Sequence, residues 1–212
     1  MAGSSKFLVW VMILFVQALF ILILVPATLI QDSVNREERY LSEYFGEAAS
    51  KRIRGKAKKT YRENFVNTGA VDELYDFFLP TEEALAGSKG LEKLGVNEGL
   101  WDTVRDRLNA FWLMVYFFFL RMYTIMIWWP LMLIFISAAA YDGFVIRKIK
   151  LLGFESTAAP VFGLAMHVFV FLMFMPFFYA LSPVAINPLA VPLWGIATAF
   201  VIKTKAANLQ RF

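Results

Sequence analysis

The chain has 212 residues, of which 59% are hydrophobic and 18% are charged, and its formal net charge is +4. An average soluble domain has about 25% charged residues, so this composition favours a membrane protein over a soluble one. The lack of cysteine excludes a disulfide framework and a zinc site with sulfur ligands. The cations lie mainly at the edges of apolar runs and in one polar stretch, so direct nucleic-acid binding is not expected.

The first apolar run covers residues 7–30, follows Lys6 and contains Gln17 as a polar residue. About 20 mostly apolar residues cross a bilayer as a helix, whereas the apolar part of a secretory signal has about 7–15. We therefore interpret residues 1–30 as an N-terminal signal-anchor transmembrane helix that is not removed. The alternative is a signal peptide that is cleaved near Pro26, because the residues there resemble the small residues of a cleavage site.

Residues 31–107 are too polar to cross a membrane, with 13 Lys and Arg against 15 Asp and Glu. Apolar residues in the first part recur mostly every four positions, which predicts one long amphipathic helix. They are Val34, Leu41, Phe45, Ala49, Ile53, Ala57, Tyr61 and Phe65. Residues 71–79 predict a second helix that stops at Pro80, and residues 81–99 predict a loop. Asn97 is the predicted N-cap of a helix that continues into the next apolar run.

Three further apolar runs lie at residues 108–141, 160–181 and 184–202. The first of them would reach roughly 51 Å as a helix. Because a hydrocarbon core is only about 30 Å thick, one end must leave the lipid. The last two runs are separated so briefly that they predict a hairpin. Residues 108–212 are thus a predicted three-helix membrane region, and the fold class is an all-α membrane protein with four transmembrane helices.

The orientation follows from the cations in short loops, which stay on the cytoplasmic side. The loop 142–159 carries Arg147, Lys148 and Lys150, and the tail after the last run carries three more cations. The hairpin turn carries none. We therefore predict a multi-pass protein of a bacterial inner membrane, with both termini and this loop in the cytoplasm and residues 31–107 outside it.

Two ionisable residues inside the apolar runs, Arg121 and His167, are functional candidates by default. Arg121 is roughly 28 Å from the cytoplasmic end of its helix, which predicts that its side chain snorkels into the far headgroups. The aromatic residues before it need cover, and the amphipathic helix 34–65 is the predicted partner. Because the apolar runs contain no carboxylate or cysteine, we expect His167 to bond a nearby backbone group or Gln17 rather than a metal.

Small residues occur near the ends of the last three runs, where they allow helices to approach closely. The predicted packing positions are Ala138, Ala139, Gly163, Gly195 and Ala199.

A basic run covers residues 51–59 and is extended by Arg62. Glu43, Glu47 and Glu63 flank it, which favours a solvated helix face, with a site for a polyanion as the alternative.

The loop 142–159 contains the most specific pattern in the chain. It begins Asp142-Gly143-Phe144-Val145-Ile146-Arg147, continues with Lys148 and Lys150, and reaches Glu155-Ser156. Asp142 can pair with Arg147, Gly143 permits a turn or a close approach, and the cations can meet headgroups or an acidic partner. Docking of a partner and simple membrane anchoring are equal alternatives for these residues.

This pattern resembles the Asp-Gly, Val, Arg and Glu-Ser segment of a family of inner-membrane proteins from integrating conjugative elements and conjugative plasmids. The resemblance implies a role in DNA transfer between cells, near the coupling ATPase, and no catalytic residue. The residues themselves indicate no enzyme, cofactor or metal site. We expect a membrane component of a type IV secretion apparatus, with a coupling ATPase or channel component as partner and a possible homo-oligomer. A small channel or transporter and an exclusion-type membrane factor are the alternatives.

Overall fold

The computed structural model describes residues 2–79, 98–153 and 159–209, and this part of the chain is helical with no strand. The elements in chain order are α1 (Ala2–Leu24), α2 (Ala27–Tyr61), a π-helix (Arg62–Val66), α3 (Ala70–Phe78), α4 (Glu98–Leu152), α5 (Ala159–Leu181) and α6 (Ala190–Ala207). The all-helical prediction is confirmed for these residues. The predicted cap Asn97, residues 81–97 of the predicted loop 81–99, and Glu155 with Ser156 lie outside them. The last two residues of that predicted loop are helical instead, because α4 already begins at Glu98.

The long helix α2 begins directly after Pro26, because proline cannot continue the backbone hydrogen bonds of α1. The free backbone N–H of Ala27 at its start donates to Oδ2 of Asp106, at 3.4 Å. Gly46 interrupts the helix with φ 78° and ψ 161°, a conformation that only glycine adopts readily. The predicted amphipathic helix is confirmed, and it begins earlier than the apolar spacing indicated.

The chain divides into two compact units. Unit 1 consists of Met1–Tyr123 and Leu181–Ala185, and unit 2 consists of Thr124–Ala180 and Ile186–Phe212. In unit 1, apolar residues of α2 pack with α4 in one buried core. Its buried members are Ala27, Ile30, Val34, Leu41, Ile53, Ala57, Ala110, Phe117 and Leu120. The prediction that α2 covers the aromatic first half of α4 is therefore confirmed.

In unit 2, the second half of α4 packs with α6 at positions without bulky side chains. A Cβ atom on Gly195 would lie 2.7 Å from Cγ of Met132, and one on Gly143 would lie 2.6 Å from the backbone oxygen of Lys203. The indole N–H of Trp194 donates to the backbone oxygen of Leu172 at 2.8 Å and joins α6 to α5. Small residues thus set the helix crossings, as membrane helices commonly arrange them.

Two helical segments of the described residues, Trp101–Leu152 and Pro160–Leu181, are long and apolar enough to cross a membrane, against four that the sequence predicted. The apolar segment found in α1 is the shorter Leu8–Ile21. The helix α6 begins only at Ala190, so it omits the first residues of the predicted span.

The predicted two-residue hairpin turn is wrong, since α5 ends at Leu181 and α6 starts at Ala190. Pro188 disfavours a helical conformation for the residue before it. Asn187 accepts the backbone N–H of Leu189 through Oδ1 at 2.9 Å, which forms a local turn instead of a helix.

Candidate functional site

A fully buried ion pair joins α2 and α4 within unit 1. Nε of Arg121 donates to both carboxylate oxygens of Glu37, at 3.0 and 3.1 Å, and a second nitrogen donates to Oε2 at 2.8 Å. Both side chains are 0% exposed. Two charges removed from water need this kind of paired geometry, because an unpaired buried charge is very unfavourable.

The remaining donors of Arg121 bind the chain segment after α5. Its guanidinium donates to the backbone oxygens of Ser182 at 2.5 Å and Val184 at 2.6 Å. The guanidinium carbon also lies 3.8 Å from the ring centroid of Phe117, a cation–π contact. Carbonyl groups after a helix end lack helical donors, so Arg121 satisfies them and links three segments of unit 1.

The prediction that Arg121 snorkels to the headgroups is wrong, because Glu37 gives it a buried partner. Glu37 was missed although the sequence contained a signal. It lies between Val34 and Leu41 on the apolar stripe of α2, at spacings of three and four. A carboxylate on an apolar helix face, together with an arginine in an apolar run, indicates such a pair.

An open groove of about 850 Å³ lies beside this core in unit 1. Its lining is Ala27, Thr28, Gln31, Asp32, Lys58, Tyr61, Arg62, Val71, Tyr75, Asn109, Trp112, Leu113 and Tyr116. The hydroxyl of Tyr75 donates to Oδ1 of Asn109 at 2.5 Å, and that of Tyr116 to Oε1 of Glu38 at 2.8 Å. Burial raises the pKa of both Tyr61 and Tyr75 above the usual phenol value, so both stay neutral.

The predicted docking residues lie at the end of α4, which continues as helix to Leu152 instead of forming a loop. Asp142 pairs with Nζ of Lys203 on α6 at 2.5 Å, and not with Arg147 as predicted. The Nζ atom of Lys150 donates to Oδ1 of Asn208 at 3.1 Å. The close approach predicted for Gly143 is confirmed. Asp142, Gly143 and Lys150 therefore contribute to the crossing with α6.

The opposite face of this helix end is exposed and combines apolar residues with one cation. We call it the α4 end face: Tyr141, Phe144, Lys148, Ile149 and Leu152. Leu152 is 80% exposed and Tyr141 73%. Arg147 lies at the edge, half-buried. Of the predicted docking cations, Lys148 is the one that is available for a partner.

The predicted packing positions divide into two groups. Gly195 and Ala199 are buried in unit 2. A Cβ atom on Gly163 would meet no atom within 4 Å. Ala138 is exposed and Ala139 half-buried. Of these five predicted positions, the two on α6 are therefore the buried ones.

Two other polar residues of the apolar runs, His167 and Gln17, were candidates. Nδ1 of His167 lies 2.7 Å from the backbone oxygen of Gly163, one turn earlier, as predicted. Gln17 is half-buried on α1. Within the described residues, no group of three or more His, Cys, Asp or Glu side chains is placed to hold a metal ion.

A family described as IncC plasmid conjugative DNA transfer protein DtrJ-like matches residues 23–210. The chain belongs to the DtrJ-like family. The match confirms the predicted relation to proteins of conjugative elements. The DtrJ-like region includes the buried pair of Glu37 with Arg121 and the α4 end face. No curated protein and no solved structure matches the chain at a significant level.

Proposed function

We propose that this DtrJ-like protein is a non-enzymatic inner-membrane component of a conjugative DNA-transfer apparatus that positions the coupling ATPase. The family match carries the role in conjugative transfer. The α4 end face is the docking surface in this proposal, because its apolar side chains and Lys148 suit a partner with an apolar, acidic patch.

A multi-pass membrane location is part of this proposal. Large apolar side chains are exposed along α1, α5 and α6, which is unfavourable in water and suits lipid contact. Examples are Phe15 at 65%, Leu164 at 68% and Phe200 at 69%. In the proposed arrangement α1 and α6 enter the membrane with α4 and α5, both termini are cytoplasmic, and residues 31–107 lie outside the cytoplasm.

The topology is tested with alkaline phosphatase, which is active only outside the cytoplasm. A fusion after Gly90 is expected to be active and a fusion after Gly153 inactive, because the cations of the α4 end and the tail stay inside. The reverse activities would contradict this orientation and place the α4 end face on the wrong side for a cytoplasmic ATPase.

The docking is tested by Lys148→Glu, with Lys51→Glu on the exposed side of α2 as the matched control. We expect Lys148→Glu to reduce transfer frequency and co-purification of the coupling ATPase at least tenfold. An exposed cation contributes little to stability, so protein level and membrane insertion stay normal. Wild-type transfer and co-purification in a normally inserted Lys148→Glu protein would refute the docking surface.

A further inference from the structure

The groove in unit 1 carries two neighbouring cations, Lys58 near the end of α2 and Arg62 at the start of the π-helix. Lys58 and Arg62 are one helical turn apart, and both line the groove with the carboxylate of Asp32. Among the described residues, neither cation forms an ion pair with a carboxylate. Two cations and one carboxylate leave a net charge of +1, which suits a monoanionic ligand such as a phosphodiester.

Trp112, which lines the same groove, has a buried donor without an acceptor among the described residues. Its side chain is only 8% exposed. Its indole N–H has no hydrogen-bond acceptor in the part of the chain that the structure describes. A buried donor without an acceptor is unfavourable, so an acceptor from a bound ligand would satisfy it.

A second cavity in unit 1, an apolar cleft of about 410 Å³, lies between α1 and α4. All its lining residues are apolar: Phe15, Ala18, Leu19, Ile21, Ile30, Phe65, Ala110, Phe111, Met114, Val115, Phe118, Phe119 and Leu181. The ring of Phe65, which lines the cleft, lies 5.6 Å from that of Trp112, which lines the groove. A groove that carries cations and an apolar cleft are therefore neighbours.

We propose that unit 1 binds one anionic phospholipid, with its phosphodiester headgroup in the groove and an acyl chain in the cleft. Lys58 and Arg62 bind the phosphate oxygens, and the indole of Trp112 donates to the headgroup. Ala27 lines the groove and follows the end of the apolar helix α1 by three residues. If α1 crosses the membrane, lipid headgroups lie at this end of it. The tyrosines and tryptophan of the groove are the residue types that favour the membrane–water interface. This inference rests on the proposed membrane location.

The test uses the full chain in nanodiscs of phosphatidylcholine, with or without phosphatidylglycerol. Lipid retained after detergent extraction is counted by native mass spectrometry. The wild type is expected to retain one phosphatidylglycerol. The double variant Lys58→Gln, Arg62→Gln is expected to retain at least tenfold less phosphatidylglycerol. The control Lys51→Gln, Lys56→Gln removes the same charge from exposed positions of α2 outside the groove and is expected to retain the lipid.

Two further variants separate the headgroup from the acyl chain. Trp112→Phe removes the donor and keeps an aromatic ring, so phosphatidylglycerol retention is expected to fall severalfold. Ala18→Phe fills the cleft without changing a charge and is expected to lower retention as well. Inorganic phosphate added to phosphatidylcholine nanodiscs is expected to leave the unfolding temperature unchanged. Stabilisation by phosphate alone would identify a site for a free anion and overturn the lipid assignment.

Membrane insertion is scored separately by cell fractionation. Equal phosphatidylglycerol retention by the groove variant, the control and the wild type, in protein that inserts normally, would overturn the lipid site and leave the proposed function intact. Recovery of the wild-type chain outside the membrane fraction would overturn the proposed location, and with it the lipid site.

Discussion

Two ion pairs on α4 show how differently one helix uses charge. In unit 1, Arg121 and Glu37 are both 0% exposed. In unit 2, Asp142 and Lys203 are 51% and 40% exposed. The buried pair lies beside backbone carbonyls and a phenylalanine ring, so removal of one partner takes the counter-charge away from a buried ion, which is strongly unfavourable. Water can solvate either partner of the exposed pair, so its contribution is small.

The comparison indicates that an ion pair holds a unit together when it is buried, and that its presence alone is not enough. In unit 1 the ion pair itself fixes α2, α4 and the segment after α5. In unit 2 the crossing of α4 and α6 depends on Gly143, because a side chain there would collide with the backbone of Lys203.

Arg121→Met is expected to lower the free energy of unfolding by about 3–5 kcal/mol, because it removes the cation that pairs with the buried carboxylate of Glu37. It also removes the donors to Ser182 and Val184. Denaturant unfolding in detergent, followed by helical circular dichroism, measures the change. The double variant Glu37→Leu, Arg121→Met is expected to recover part of the loss. A double variant as unstable as the sum of the single variants would show that the pair has no coupling.

Gly143→Ala is expected to lower the free energy of unfolding by about 1–3 kcal/mol, because the added Cβ would collide with a backbone oxygen that cannot rotate away. Gly195→Ala is expected to cost less, since it meets the flexible side chain of Met132. Gly163→Ala meets no atom and is the control. In detergent, the unfolding temperature should therefore be highest for Gly163→Ala, lower for Gly195→Ala and lowest for Gly143→Ala. Equal stability of all three would contradict the close crossing.

Asp142→Asn is expected to change the free energy of unfolding by less than about 1 kcal/mol, since the pair with Lys203 is exposed and salt screens it. The same unfolding assay at low and high salt measures it. The wild-type and variant stabilities should converge at high salt. A loss as large as that of Arg121→Met would mean that the two pairs are equivalent and would invalidate the comparison.

Much of the helical layout could be predicted from the spacing of apolar residues. The predicted helix 71–79 is Ala70–Phe78, and the predicted run 160–181 is Ala159–Leu181. The predicted start of the last helix was wrong, because residues 184–189 are as apolar as the helix that follows. Apolar content alone does not reveal the turn that Pro188 favours there. The end of α4 was predicted as a loop because its cations indicated a membrane edge, which does not by itself end a helix.

The functional residues were predicted less well than the helices, because their roles depend on partners distant in the chain. Arg121 was identified from its position in an apolar run, but its partner Glu37 lies 84 residues earlier. The cations Arg147, Lys148 and Lys150 were predicted as one docking group. In the structure this segment is a helix, so Lys150 faces α6 whereas Lys148 faces outward.

The proposed docking of the coupling ATPase is tested most directly by site-specific photo-crosslinking in mating donor cells. A photoreactive phenylalanine analogue replaces Phe144 on the α4 end face, and in a matched strain it replaces Phe200, which is exposed on α6. We predict an adduct with the coupling ATPase from position 144 and none from position 200. No ATPase adduct at position 144, in cells that transfer DNA at the wild-type frequency, would contradict the proposed docking.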